Sequence, residues 1–129
     1  MATFSKSYVV GYPLERVFAA WVADDTVVAP AEKMEIDARV GGTYRLIMPG
    51  GGLMEGVFSR FDPNERVTYS WNWVGSDETT EVDVTFAAHA DGTEVGVTHS
   101  GFSSAESHDM HASGWDSYLE GFTAHLGRD

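Results

Sequence analysis

Cysteine is absent from this sequence of 129 residues, which excludes disulfide bridges and thiolate ligands for metals. Basic residues are scarce, since eight Lys and Arg stand against twenty Asp and Glu and give a formal charge of −12. A surface of this charge repels phosphate backbones, so we expect no nucleic-acid partner. No run reaches the ~18 apolar residues that a membrane span needs, and the first residues show no leader pattern. We therefore expect a cytoplasmic protein.

The length predicts one domain, residues 1–129, because a chain of this size removes about two thirds of its surface from water on folding. Thr3–Val10 is rich in β-branched and aromatic residues and predicts a strand. Pro13–Val22 starts with a proline and places apolar residues on one stripe, which predicts a helix. Asp24–Pro30 predicts one further short helical turn, which the proline ends.

Turn residues divide the middle of the chain into short runs of strand-forming residues, the pattern of an antiparallel meander. Five such turns imply six strands. We predict them at Lys33–Val40, Thr43–Pro49, Leu53–Phe61, Arg66–Val74, Glu81–Ala90 and Thr93–Gly101.

Two hairpins allow the pairing to be predicted in detail. A two-residue Asp91-Gly92 turn would pair Phe86 with Val97 and Val84 with His99, which places a histidine on an apolar face. In the first hairpin, a two-residue Gly41-Gly42 turn would mix charged and apolar residues on both faces. Either a longer loop, or a sheet rim that turns Asp37 and Arg39 toward a cavity mouth, would resolve this conflict.

The segment 108–126 predicts a terminal helix whose apolar stripe contains two histidines, His108 and His111. Ser103 or Ser104, together with Glu106, is a candidate cap for its start. Gly114 and Gly121 lie at the border of the stripe. There each costs about 1 kcal/mol relative to alanine, so we expect a close approach of another backbone or a contact between two copies.

Several motifs, in order, carry a resemblance to a known family. They are PLERVFAAW at 13–21, DARVGGTY at 37–44, GVF at 56–58 followed by PNERVTY at 63–69, GTEV at 92–95, and HSGF at 99–102 ahead of Gly114-Trp115. The chain resembles the single-domain bacterial form of the family named for the activator of the heat-shock protein 90 ATPase, in the START-like (SRPBCC) superfamily. The resemblance implies an α+β helix-grip fold, in which a curved antiparallel sheet wraps around a long C-terminal helix and two short helices follow the first strand.

Members of this superfamily are typically built around a cavity between the terminal helix and the sheet. We therefore predict that a small hydrophobic or amphipathic molecule binds there, with no cofactor, no metal and no assigned catalytic residue. The predicted ligand-binding residues are Tyr44, Leu46, Tyr69, Trp71, Val84, Phe86, Val97, His99, His108, His111, Trp115, Leu119 and Phe122.

Three other interpretations stay open at this point. His99, His108 and His111 could hold a metal, although their spacing matches no recognised motif. His99 or His111 could act as a general acid or base in an enzyme of cyclase or hydrolase type. The chain could also be a protein-interaction or chaperone-regulating module, with a protein partner or a second copy of itself.

Overall fold

The computed structural model describes residues 2–28 and 31–127. Its two helices are α1 (Leu14–Trp21) and α2 (Ala105–Leu126). Its strands are β1 (Ala2–Val10), β2 (Lys33–Ile36), β3 (Thr43–Ile47), β4 (Leu53–Asp62), β5 (Arg66–Trp73), β6 (Thr79–His89) and β7 (Gly92–Phe102), with one turn of 3-10 helix at Pro49–Gly51. Neither helix in these ranges is long and apolar enough to cross a membrane.

The seven strands form one antiparallel sheet in the order β1-β7-β6-β5-β4-β3-β2. Strands β2 to β7 are a meander, as predicted, and β1 closes the other edge by pairing with β7. With the long helix α2 at the end of the chain, this is the α+β helix-grip architecture that the resemblance implied.

The β6–β7 hairpin has a different register from the predicted one. Val84 pairs with Val97, and Val82 pairs with His99, because the turn consists of residues 90 and 91. Gly92 belongs to β7, where its φ of 136° and the closeness of the Val10 backbone leave no room for a Cβ atom. The predicted pairing was therefore wrong by two residues. A shift of two keeps every side chain on its face, so the predicted burial of His99 is confirmed.

In the first hairpin, the longer loop is the correct alternative. Strand β2 ends at Ile36 rather than Val40, and residues 37–42 form the loop before β3. Asp37 and Arg39 make an exposed ion pair at 2.9 Å within this loop. Because the loop absorbs both charges, the inward face of the hairpin carries Met34 and Leu46, which pair with each other and are buried.

The predicted second short helix does not form in the described part of its segment. Asp24 and Asp25 make a turn, and Thr26–Val28 are irregular. The remaining two residues of the predicted turn, Ala29 and Pro30, lie outside the described residues.

Helix α1 supplies the centre of the core through Trp21, which is fully buried. Its ring stacks on Trp115 at 6.1 Å between centroids and meets the edges of Phe122 and Tyr118 at 5.2 Å. Phe86 of β6 closes the other side at 5.8 Å. The two helices and the sheet therefore meet at one indole, which positions the inward face of α2.

Candidate ligand-binding cleft

A cleft of about 430 Å³ lies between one side of α2 and the sheet. This volume is in the range of small-molecule sites. The sheet side contributes one residue of β3, the residue just after β3 and two residues of β5, and the segment after α1 contributes two more. These are Leu46, Met48, Trp71, Trp73, Val28 and Ala31.

Helix α2 forms the opposite wall with two stripes of residues. The inner stripe consists of His111, Trp115 and Tyr118. The outer stripe consists of Met110, Ser113, Gly114 and Ser117, which are exposed. A Cβ atom at Gly114 would meet nothing within 4 Å, so this glycine leaves space in the cleft. The expected close approach of another backbone at Gly114 is wrong within this structure.

The walls of the cleft are neutral. Among the described residues, no Asp, Glu, Lys or Arg lines it, although the chain carries a charge of −12. Met110 stands at the rim with 63% of its surface exposed, and the deeper wall is built from indole rings. The cleft therefore favours an uncharged apolar guest, because a charged one would lose its hydration without gaining an ion pair.

His111 is fixed in the cleft wall by two hydrogen bonds. Its Nδ1 lies 2.8 Å from the backbone carbonyl of Ser107, one helical turn earlier, so this nitrogen donates. Its Nε2 accepts from the indole Nε1 of Trp73 at 3.1 Å. Because one nitrogen donates and the other accepts, the ring is the neutral Nδ1–H tautomer.

His99 lies deeper, fully buried behind this wall. Its Nδ1 accepts from Trp115 Nε1 at 3.0 Å, so its Nε2 carries the proton and donates to Thr80 Oγ1 at 2.6 Å. The Thr80 hydroxyl donates in turn to the Trp71 carbonyl at 3.2 Å. Burial is the main cause that lowers the pKa of His99, to about 3.

These contacts bear on the acid–base and metal interpretations. All four ring nitrogens of His99 and His111 are occupied, by two indoles, a hydroxyl and a backbone carbonyl. An indole N–H does not ionise at neutral pH, so the two indoles position the imidazole rings without acting as an acid or a base toward them. Within residues 2–28 and 31–127, no three His, Asp or Glu side chains are placed to hold a metal ion.

Glu78, in the loop between β5 and β6, ties the start of α2 to the sheet. Its carboxylate accepts from the hydroxyl and the backbone N–H of Ser103 at 2.6 and 2.7 Å and from the Ser107 hydroxyl at 2.7 Å. These bonds lower the pKa of Glu78 to about 2. Ser104 accepts from the Ser107 N–H, which confirms it as the N-cap of α2. The carboxylate that binds the start of the helix belongs to Glu78 rather than to the predicted Glu106.

The structure brings only some of the thirteen predicted residues to the cleft. Those that line it are Leu46, Trp71, His111 and Trp115. Eight others lie in the closed core beside or behind it: Tyr44, Tyr69, Val84, Phe86, Val97, His99, Leu119 and Phe122. His108 lies elsewhere, with its ring against Phe4 and Phe102 and its Nδ1 2.9 Å from Asp109.

Residues 11–127 match the family described as activator of Hsp90 ATPase homolog 1-like protein. The chain belongs to this family. The resemblance stated from its motifs is thus confirmed. No curated protein matches the sequence.

Solved structures of other proteins share the fold of this AHSA1-like chain. Protein MLL2253 from Mesorhizobium loti superposes with a TM-score of 0.89 at 20% identity, covering 98% of both chains. Protein CV1439 from Chromobacterium violaceum gives 0.81 at 25% identity over 95% of both chains. The AHSA1-like protein from Aeromonas hydrophila gives 0.78 at 21% identity, covering 98% of this chain and 93% of its own.

Nine residues that line the cleft of this AHSA1-like chain are not among those predicted from the sequence. They are Val28, Ala31, Met48, Trp73, Met110, Ser113, Gly114, Ser117 and Tyr118. A helical wheel finds the inward face of a helix, whereas this cleft opens along the flank of α2. Gly114 was the one signal in the sequence that pointed to this flank of α2. A glycine in a helix interior lowers stability relative to alanine, so its presence there indicates a structural requirement.

Proposed function

We propose that this protein binds one small, uncharged, mainly apolar molecule in the cleft beside α2. The observation that carries the proposal is a neutral cleft of about 430 Å³, walled by indole and methionine side chains, in a chain of charge −12. Such a concave apolar site with few polar groups is the usual form of a small-molecule site.

Burial of apolar surface supplies the driving force, at about 25 cal/mol for each Å² removed from water. The rings of Trp71 and Trp115, 5.7 Å apart, offer flat contact area that loses little side-chain entropy on binding. His111 is already neutral and bonded on both nitrogens, so covering it costs little desolvation.

Thermal unfolding in the presence of fatty acids, sterols and aromatic polyketides tests the proposal. At least one class should raise the melting temperature, since a ligand at a hundredfold excess over its Kd stabilises the folded state by about 2.7 kcal/mol. We expect the uncharged classes to act and fatty acids to act least, because no cation among the described residues lines the cleft.

The blocking variant is Gly114→Leu, which adds a side chain to the open space without removing any contact. It should fold and lose the ligand-induced shift. The matched control is Glu120→Leu, which puts the same side chain on the same helix, outside the cleft, and should keep the shift. Absence of a shift with all three ligand classes, or an equal shift in wild type and Gly114→Leu, would overturn the proposal.

A further inference from the structure

Four buried polar atoms on the aromatic side chains of the core have no hydrogen-bond partner. They are Trp21 Nε1, Tyr69 Oη, Trp71 Nε1 and Tyr118 Oη. A fifth such atom, Arg45 Nε, is a separate case, because it lies 3.4 Å from the Glu55 carboxylate. Leaving a buried donor unpaired lowers the stability of the folded state, so four together need an explanation.

The four side chains are neighbours beside the cleft. Trp71 and Tyr118 form part of its walls. The Trp21 ring lies 5.2 Å from Tyr118, and the Tyr69 ring lies 6.4 Å from Trp71. The stacked Tyr44 ring, 4.5 Å from Tyr69, completes the group. The Tyr44 hydroxyl lies near those of Tyr69 and Tyr118, and the Trp21 N–H lies near the Tyr69 hydroxyl, so that these groups influence the tyrosine pKa values. None of these contacts has the geometry of an ordinary hydrogen bond.

The chemistry of these atoms selects the partner that would satisfy them. An indole N–H can only donate, and a phenol both donates and accepts. Burial raises the pKa of Tyr69 and of Tyr118 well above the usual value, so both hydroxyls keep their protons and remain donors at neutral pH. An accepting oxygen is therefore the one partner that suits all four groups.

We propose that the guest carries an uncharged accepting oxygen, such as the carbonyl of an aromatic ketone or quinone, and that Trp71 Nε1 and Tyr118 Oη, which are buried without a partner in the walls of the cleft, donate to it. This inference rests on the proposed function and names its ligand class. A carboxylate is disfavoured because no cation lines the described walls, and an ammonium group would meet donors there.

A matched pair of probes tests the inference: 9-fluorenone and fluorene have the same ring system and differ in one carbonyl. Equilibrium dialysis with the wild-type chain should give a Kd about tenfold lower for fluorenone, because the carbonyl pairs donors that fluorene leaves unpaired. In Tyr118→Phe this preference should fall severalfold while the affinity for fluorene stays the same. The variant should fold, since it removes only an unpaired hydroxyl.

The control variant is Tyr12→Phe, which makes the same change beside Arg16 and away from the cleft, and should keep the full preference. If fluorene binds as tightly as fluorenone, or if Tyr118→Phe keeps the preference, the inference is overturned and buried water is the better partner for these atoms, while the proposed function stands. Binding of neither probe also overturns the inference. The proposed function then falls only if the ligand library gives no thermal shift either.

Discussion

The two halves of helix α2 meet the rest of the molecule in opposite ways. Toward its C-terminus, Phe122 and Leu126 are fully buried, and Gly121 allows Val28 to approach so closely that a Cβ atom there would lie 2.5 Å from its Cγ1. Seven residues earlier, on the same side of the helix, Gly114 faces open space. One helix therefore both seals a core and borders a cleft.

The elements that oppose each half explain this difference. Trp21 of α1 fills the space beneath Phe122, with the ring centroids 5.2 Å apart. Beside His111 and Gly114, the sheet offers Trp71 and Trp73, whose rings lie edge to face and do not fill the gap. Gly114 and Gly121 thus lie on the same side of α2 but have different surroundings, because different elements of the fold oppose them.

The largest expected effect comes from breaking the closed half. Phe122→Ala should lower the free energy of unfolding by about 3 to 5 kcal/mol, because it removes a fully buried ring and leaves a cavity beside Trp21. Urea denaturation measures this change. Met110→Ala, at the rim of the open half, should change the stability by less than about 0.5 kcal/mol. Similar losses of stability in both variants would contradict the distinction between a closed C-terminal half of α2 and a half that borders the cleft.

Low pH should lower the free energy of unfolding through His99, which lies behind the cleft-lining half of α2. The pKa of His99 is about 3 in the folded chain and 6.5 ordinarily, so between these values the unfolded state binds a proton that the folded state does not. Stability is therefore full above pH 6.5 and falls as the pH drops toward 3, by about 2 kcal/mol at pH 5.

Urea denaturation at pH 7.5 and pH 5 measures this loss. In His99→Gln the stability at pH 7.5 should be lower, and the loss between the two pH values should shrink by the part that His99 contributes. The Glu78 carboxylate, with a pKa of about 2 against 4.5, loses its contribution only below pH 4.5, so it does not interfere. An unchanged pH dependence in His99→Gln would show that His99 is not the group responsible.

The two glycines allow a smaller and sharper test. Gly121→Ala should lower the free energy of unfolding by about 1 to 2 kcal/mol, because the clash with the stiff, buried Val28 outweighs the gain in helix propensity. Chemical denaturation measures it. A gain in stability at this position would show that the segment carrying Val28 yields easily.

The smallest effect should have the opposite sign. Gly114→Ala should raise the free energy of unfolding by about 0.5 to 1 kcal/mol. The new methyl group meets no other atom, and alanine loses less backbone entropy than glycine when the helix forms. The same denaturation experiment detects it. A loss at position 114 would mean that the space beside this residue is already filled.

Periodicity predicted the architecture well, because burial on one face leaves a regular mark on a strand. In β5, Val67, Tyr69 and Trp71 alternate with polar residues and are all buried. Seven predicted strands and the terminal helix agree with the helix-grip fold that the family resemblance implied. The observed β6–β7 register differs from the predicted one by two residues. The predicted side of the sheet was still correct for each side chain, since side-chain direction repeats every two residues.

The cleft was harder to predict because it depends on where packing fails. Leu46 and Leu119 carry the same apolar signal, yet only Leu46 lines the cleft. The three histidines of the site prediction also look alike in sequence, but His99 is bonded inside the core and His108 lies apart from the cleft. A pattern records that a residue is apolar or polar, and the elements opposite decide whether space remains beside it.

All four tryptophans of the chain belong to one cluster, and three of them, Trp71, Trp73 and Trp115, line the cleft. Trp71 lies 5.7 Å from Trp115 and 6.1 Å from Trp73, and Trp115 stacks on Trp21. At these separations excitation passes readily among the rings, so the tryptophan fluorescence of the chain depends on rings that line the cleft. Binding of a guest in the cleft should therefore change the intrinsic tryptophan emission without an added label, even when the rest of the structure keeps its conformation.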